Sequence, residues 1–229
     1  DRLKKLLPFL NPEETLLLAR LAAQTNFCKA KLSGEPKDWQ EALFYHQHCE
    51  TLGHSSPSFL FQFAEVYAHL GGLLKDKRFN QLALAYYDRS LATPFPHLLA
   101  LLNKAWLLTD LAESDGSVKA LQVALDFFTQ FSPILQQLQK TKTEEALLLL
   151  RWGEMEVALA KKKDVSSLFI SGLEKLERSH TMNPEHPKIL GTCAEMQLTW
   201  GANQGCLLSL RQAKQKAEKL LQLQPGSAD

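Results

Sequence analysis

The chain has 229 residues, of which 45% are hydrophobic and 22% are charged, a composition typical of a folded protein and unlike that of a disordered one. Its net charge of +1 excludes a global field that would attract nucleic acid, so we expect no nucleic-acid partner. No apolar run approaches the roughly 18–20 residues needed to cross a bilayer, so the sequence predicts no membrane span.

Cysteine usage bears on the compartment. The four cysteines are Cys28, Cys49, Cys193 and Cys206. They show no CxxC spacing and are too few to cross-link a chain of this length, so we interpret them as small buried residues. This usage fits a reducing compartment and predicts a cytoplasmic protein. Because the sequence begins at Asp1 rather than Met, we expect a fragment or a processed form.

The predicted elements are all helices. Leu, Ala, Gln, Glu and Lys dominate, and no alternating strand pattern occurs. Proline, Pro133 included, is expected between segments rather than inside them. The predicted helix pairs span residues 13–52, 57–93, 96–132, 144–183 and 187–224. They predict a single solenoid domain over residues 1–229, with an insertion at 133–143 that forms either an extended helix or a loop across the stack. The basic clusters at 161–163 and 211–219 are interpreted as solvated helix faces.

Small residues recur at a regular spacing along these helices. The first series is Ala23, Ala64, Ala105, Gly153 and Ala194, with separations of 41, 41, 48 and 41 residues. The second series is Ala42, Ala83, Ala120, Gly172 and Ala213, which follow the first by 19, 19, 15, 19 and 19 residues. Antiparallel helices approach closely only where the facing side chain is small, so the two series predict one crossing in each pair. One pair alone cannot bury its apolar face, so the pairs are expected to stack.

Four segments resemble tetratricopeptide repeats. Segments 83–94, 172–184 and 213–225 resemble the second helix of that repeat, and 60–71 resembles its first helix. The resemblance covers roughly residues 13–225. It implies an all-α, right-handed α-α superhelix that acts as a non-catalytic protein–protein interaction scaffold or adaptor.

The period of this chain differs from that of the family. The family unit has 34 residues and this one has about 41. The seven extra residues fall between the two small residues of a pair and correspond to about two helical turns. They lengthen either the two helices or the loop between them. The third pair is expected to lack four of the seven.

In the tetratricopeptide family the first helices line a concave groove that holds a peptide or a partner helix. The resemblance places these residues in the groove: Arg20, Gln24, Phe27, Glu65, His69, Asn103, Trp106, Asp110, Arg151, Glu154 and Glu195. Asn103 matches a family clamp for a C-terminal carboxylate, but the basic partners of that clamp are missing, and acids lie nearby. The mixed, mildly acidic groove favours a basic or amphipathic helix as partner.

Other interpretations remain open. The lengthened helices and the insertion could enclose an apolar cavity, which would make the chain a small hydrophobic ligand or lipid carrier. The chain could also be the regulatory module of a larger protein. The apolar last helix, with Leu220, Leu221 and Leu223, allows self-association.

The sequence predicts no metal, no cofactor and no catalytic residue. His46, His48 and Cys49 form the most metal-like group, but residue 48 points away from the face that 46 and 49 share, and zinc needs three or four converging ligands. No GxSxG, HExxH or phosphate-binding loop occurs.

Overall fold

The computed structural model describes residues 11–92, 98–137 and 142–223. Within these ranges the regular structure is α1 (Pro12–Ser33), α2 (Pro36–Thr51), α3 (Pro57–Leu74), α4 (Lys77–Leu91), α5 (Leu98–Asp115), α6 (Val118–Gln137), α7 (Lys142–Lys163), α8 (Ser166–Met182), α9 (Pro187–Gln204) and α10 (Leu207–Leu223). None of the described residues lies in a strand. The predicted all-α fold is confirmed.

Local sequence signals set where several helices begin. Proline is the first residue of α1, α2, α3 and α9, a position where its missing N–H costs no helical hydrogen bond. Before α1, Asn11 Oδ1 accepts from the Glu14 N–H at 2.9 Å, and the Asn11 N–H donates to Glu14 Oε2 at 3.2 Å. This reciprocal capping box fixes the start of α1.

The two helices of each pair are joined by only two residues. The connectors are residues 34–35, 75–76, 116–117, 164–165 and 205–206. The first residue of each connector has positive φ: Gly34 (69°), Lys75 (52°), Gly116 (63°), Asp164 (54°) and Gly205 (63°). A left-handed residue at this point ends a helix and reverses the chain direction. Because the connectors are so short, the extra residues of the 41-residue unit lengthen the helices and not the loops.

The small residues lie at the helix crossings. Ala23, Ala64 and Ala105 are at most 2% exposed. In the fourth pair both crossing residues are glycine, and a Cβ on Gly153 would lie 2.8 Å from the carbonyl oxygen of Gly172. The two backbones are therefore in direct contact, closer than any side chain allows.

The prediction for the third pair is wrong at one residue. Ala124 is completely buried, whereas Ala120 is only half-buried and lines an open cleft at the start of α6. Ala120 lies one turn before the crossing on the same side of the helix. Ala124 follows Ala105 by 19 residues, as in the other four pairs, so this pair is not shortened.

The described helices form two compact units, unit 1 up to Leu107 and unit 2 from Leu108. The core of unit 1 is aromatic: the ring of Phe63 lies 4.9 Å from that of Tyr67 and 4.3 Å from that of Tyr86. The core of unit 2 includes Leu150, Leu176, Ile189 and Cys193. The single-domain organisation stays a prediction.

The segment predicted as an insertion, 133–143, is helical where the structure describes it. Helix α6 continues through Pro133 to Gln137, so the expectation that this proline stands between segments is wrong. Helix α7 begins at Lys142. Residues 138–141 lie outside the described residues. At its start the segment therefore extends the helix, the first of the two predicted alternatives.

Candidate partner-binding surface

The first helices present one stripe of residues that recurs in every pair. The stripe is counted from the small residue of each first helix, that is from Ala23, Ala64, Ala105, Gly153 and Ala194. It consists of the residues at positions −2, +1, +5 and +8 from that residue, and these four positions share one side of the helix. Nine predicted residues lie on this first-helix stripe: Gln24, Glu65, His69, Asn103, Trp106, Asp110, Arg151, Glu154 and Glu195. Arg20 and Phe27 lie beside it, three residues before and four after Ala23.

In unit 1, Glu65 is the centre of a buried network. Its carboxylate accepts a hydrogen bond from Asn103 Nδ2 at 2.7 Å and a short one from the Tyr87 hydroxyl, and it lies 3.6 Å from Lys31 Nζ. Burial and the Glu65 charge raise the pKa of Tyr87 above its ordinary range, so the phenol remains a donor. Lys31, Glu65 and Asn103 belong to three successive pairs. The network therefore joins those pairs and leaves little of Glu65 for a partner.

Two other predicted residues of unit 1 have aromatic contacts. The His69 ring stacks on Trp39 at 4.1 Å, and burial lowers the pKa of His69. Phe27 is 6% exposed and packs edge-on against Trp39 at 6.0 Å. The structure therefore places Phe27 in the core. Trp106 is half-buried.

Arg20 and Gln24, unlike Glu65 and Phe27, lie on the surface. Both are exposed and line an open cleft between α1 and α3. The structure thus brings Glu65 and Asn103 together, and Arg20 and Gln24 together, at separate places in unit 1.

In unit 2, Arg151 forms ion pairs with two other predicted residues of the stripe. Arg151 Nη1 lies 3.1 Å from Glu154 Oε2, and Arg151 Nη2 lies 3.5 Å from Asp110 Oδ1. The Thr192 hydroxyl donates to Glu154 Oε1 at 3.2 Å. Glu195 is exposed one turn after Thr192. These contacts link α5, α7 and α9 along the stripe.

Sequence reasoning missed several members of the two networks. Glu113 has a raised pKa because it is partly buried and then because the charge of Glu154 is close, while Arg151 and Lys188 act in the opposite direction. Lys31 and Glu113 both occupy the position eight after the small residue. That last position of the stripe lies one turn beyond the predicted residues, and extending the pattern would have found both.

Three buried side chains outside these networks, His46, Cys49 and Cys193, are kept neutral by burial. His46 is fully buried, its Nδ1 lies 2.8 Å from the Ala42 carbonyl oxygen, and burial lowers its pKa to about 4. Burial raises the pKa of Cys49 to about 11 and that of Cys193 to about 12, so both thiols stay protonated. Across the described ranges, no three His, Cys, Asp or Glu side chains converge as a metal site would require.

None of the described helices combines the length and apolar character needed to span a membrane.

Comparison with known proteins identifies the fold. The structure titled MamA RS-1 ArsTM double mutant is 16% identical, with a TM-score of 0.62 over 92% of this chain and 97% of that one. MamA 41-end from Desulfovibrio magneticus RS-1 is also 16% identical, with a TM-score of 0.60 and the same coverage. No protein-family model and no curated protein matches the sequence. The likeness shows a tetratricopeptide-like helical repeat, so the resemblance predicted from the sequence is confirmed.

Proposed function

We propose that the chain is a non-catalytic scaffold or adaptor that holds a partner peptide or helix against its first-helix stripe, the side that the resemblance assigns to the concave groove. The fold supports this proposal, because stacked helix pairs present an extended surface of repeated side chains. The neutral histidine and the protonated thiols give no support to catalysis.

The observation that carries the proposal is an excess of carboxylates in unit 2. On the first-helix stripe of unit 2 the acidic members are Asp110, Glu113, Glu154 and Glu195, and the basic ones are Arg151 and Lys161. Lys188 lies off the stripe but close enough to lower the pKa of Glu113. Arg151 is paired with two of the acids, yet the pKa of Glu113 is still raised, first by partial burial and then by the charges of Glu154 and Asp110. A cation from a partner would relieve this repulsion, so a basic or amphipathic helix is the partner that fits best.

The test measures binding of a labelled, lysine-rich amphipathic helical peptide by fluorescence polarisation. Glu113→Lys and Glu195→Lys reverse two exposed charges and leave the pairs of Arg151 in place. We expect the double variant to bind roughly tenfold more weakly. Glu174→Lys is the matched control, because it makes the same exchange at an exposed position of the second helix α8. Equal affinities for the double variant, the control and the native chain would contradict the proposal.

The alternative of an apolar-ligand carrier has no such support. The cleft between α1 and α3 has a volume of about 280 Å³ and the cleft beside Trp200 about 200 Å³, and both are open to solvent. Pockets that enclose small ligands usually measure roughly 300–1,000 Å³. The scaffold is therefore the function that the geometry favours.

We also propose that α10 mediates self-association. Leu207 and Leu208 at its start are 69% and 65% exposed, and Leu221 near its end is 52% exposed. Contact with a second copy would remove this apolar surface from water. Sedimentation velocity at several concentrations tests this, and Leu208→Lys is expected to shift the chain toward monomer. A native chain that is monomeric at all concentrations would contradict it.

A further inference from the structure

An open cleft of about 280 Å³ separates α1 from α3 in unit 1. Leu21 and Gln24 of α1 line one wall, and Phe59 and Gln62 of α3 line the other. Leu21, Gln24 and Gln62 are positions of the first-helix stripe. The cleft is therefore a depression within the surface proposed to hold a partner.

Much of this cleft is apolar. Leu17 and Leu21 lie one helical turn apart on α1, and each is 57% exposed. Phe59 is only 6% exposed and closes the other side. Two exposed leucines that line one cleft together with a buried aromatic side chain are suited to receive an apolar side chain of a partner.

The charge lining the cleft is positive. Arg20 has no hydrogen bond and no salt bridge with any residue that the structure describes, and no carboxylate from the described ranges lines the cleft. Burial, followed by the charge of Arg20, lowers the pKa of the neighbouring His54, so His54 is neutral at pH 7. Among the described residues, Arg20 is thus a cation without a partner beside an apolar wall, in contrast to the carboxylate excess of unit 2.

We infer that this cleft binds an acidic amphipathic helix of a partner protein, with an apolar side chain of that helix between Leu17 and Leu21 and a Glu or Asp side chain on Arg20. A guanidinium pairs well with a carboxylate, and a residue one turn away on the partner helix reaches the apolar wall at the same time. The inference rests on the proposed function and adds a second binding site to it. This site prefers an acidic helix, whereas the stripe of unit 2 prefers a basic one.

The test uses two side-chain-stapled, fluorescein-labelled helical peptides of about 15 residues, a length at which an unstapled helix is marginal. Both carry leucines on one face, and they differ only in one neighbouring residue, Glu or Lys. Binding is measured to the Glu113→Gln/Glu195→Gln variant, which removes the two exposed carboxylates of unit 2 without adding a cation that could bind the Glu peptide. We expect the Glu peptide to bind roughly tenfold more tightly than the Lys peptide.

Variants of the cleft then assign the contact. Arg20→Glu is expected to reverse the preference between the peptides, and Leu21→Glu to abolish binding of both. Leu198→Glu is the matched control, because Leu198 is 54% exposed on α9 in unit 2, and its substitution is expected to change nothing. Circular dichroism melts check that each variant is folded.

Three outcomes would overturn the inference: no binding of the Glu peptide, binding that Arg20→Glu leaves unchanged, or self-association of the native chain that Leu21→Glu abolishes. The last would assign the cleft to a second copy. A negative result for the cleft can be distinguished from a negative result for the scaffold proposal. The cleft is tested with substitutions in unit 1, whereas the scaffold proposal is tested with the lysine-rich peptide and substitutions in unit 2.

Discussion

Replacing Lys75 or Asp164 with glycine is expected to stabilise the chain. Both residues open a two-residue connector with φ near 50°, the position that glycine occupies in the other three pairs. A side chain in this left-handed conformation costs about 1–2 kcal/mol, and the greater freedom of glycine in the unfolded chain offsets about 0.5–1 kcal/mol of that gain. Each substitution should therefore raise the free energy of unfolding by about 0.5–1 kcal/mol.

The contacts of Lys75 support this magnitude. Its side chain is exposed, and the hydrogen bond that ends α3, from the Lys75 N–H to the Gly71 carbonyl, is made by the backbone and survives the exchange. Denaturant unfolding followed by circular dichroism measures the effect, which corresponds to about 1–4 °C in melting temperature for a chain of this size.

The control exchanges the same residue type at a helical position. Lys214 is exposed in the middle of α10, and Lys214→Gly should lower stability by about 0.5–1 kcal/mol, because glycine is a poor helix former. Gly34→Ala should also destabilise, since a Cβ there is strained at φ 69°. If Lys75→Gly lowered stability as much as Lys214→Gly, the connector would not have the left-handed conformation on which this reasoning depends.

Two further predictions concern the interior. Gly153→Ala should destabilise unit 2 by about 1–3 kcal/mol, because its Cβ would meet a backbone oxygen at 2.8 Å, whereas Gly191→Ala, with its nearest atom at 3.6 Å, should be neutral or slightly stabilising in the same melts. His46 has a folded pKa of about 4 and an unfolded pKa near 6.5, so the unfolded state binds more protons between these values. Unfolding free energy should be constant above pH 6.5 and fall by up to about 3 kcal/mol toward pH 4, a loss that His46→Phe removes.

The register of the fold could be predicted because it depends on a local property. Two helices cross closely only where a small residue lies between them, and such a residue recurs at the same place in each pair. The wrong assignment of Ala120 has the same cause: Ala120 and Ala124 are one turn apart on one face, and both are small enough for the crossing. Counting from the connector resolves the choice, since the second small residue follows the left-handed residue by eight in all five pairs.

The candidate surface was less predictable than the fold. Helical periodicity shows which residues share a side, but it carries no information on which neighbouring pair covers them. Phe27 and Glu65 were both predicted to face a partner, yet both are buried. Phe27 packs on Trp39 of its own pair, and Glu65 bonds to Tyr87 of its own pair and to Asn103 of the next. The small series identifies where two helices cross, whereas burial beside the crossing depends on larger side chains from both pairs, which have no comparable signal in the sequence.

Substitutions at Glu65 can distinguish a residue that stabilises the fold from one that contacts a partner. It is 5% exposed, and its carboxylate takes hydrogen bonds from Tyr87 and Asn103. Glu65→Ala leaves both donors without their acceptor and Lys31 without its nearby anion, so we expect a loss of roughly 3 kcal/mol in the unfolding free energy of unit 1.

Asn103→Ala removes a single donor and should cost about 1 kcal/mol. Since the network is internal, Asn103→Ala should leave binding of the lysine-rich peptide unchanged within twofold, while Glu113→Lys weakens it without loss of stability. A variant at Asn103 that kept full stability but lost the peptide would place this side chain on the partner-binding surface after all, because only a contact with the partner could produce that combination.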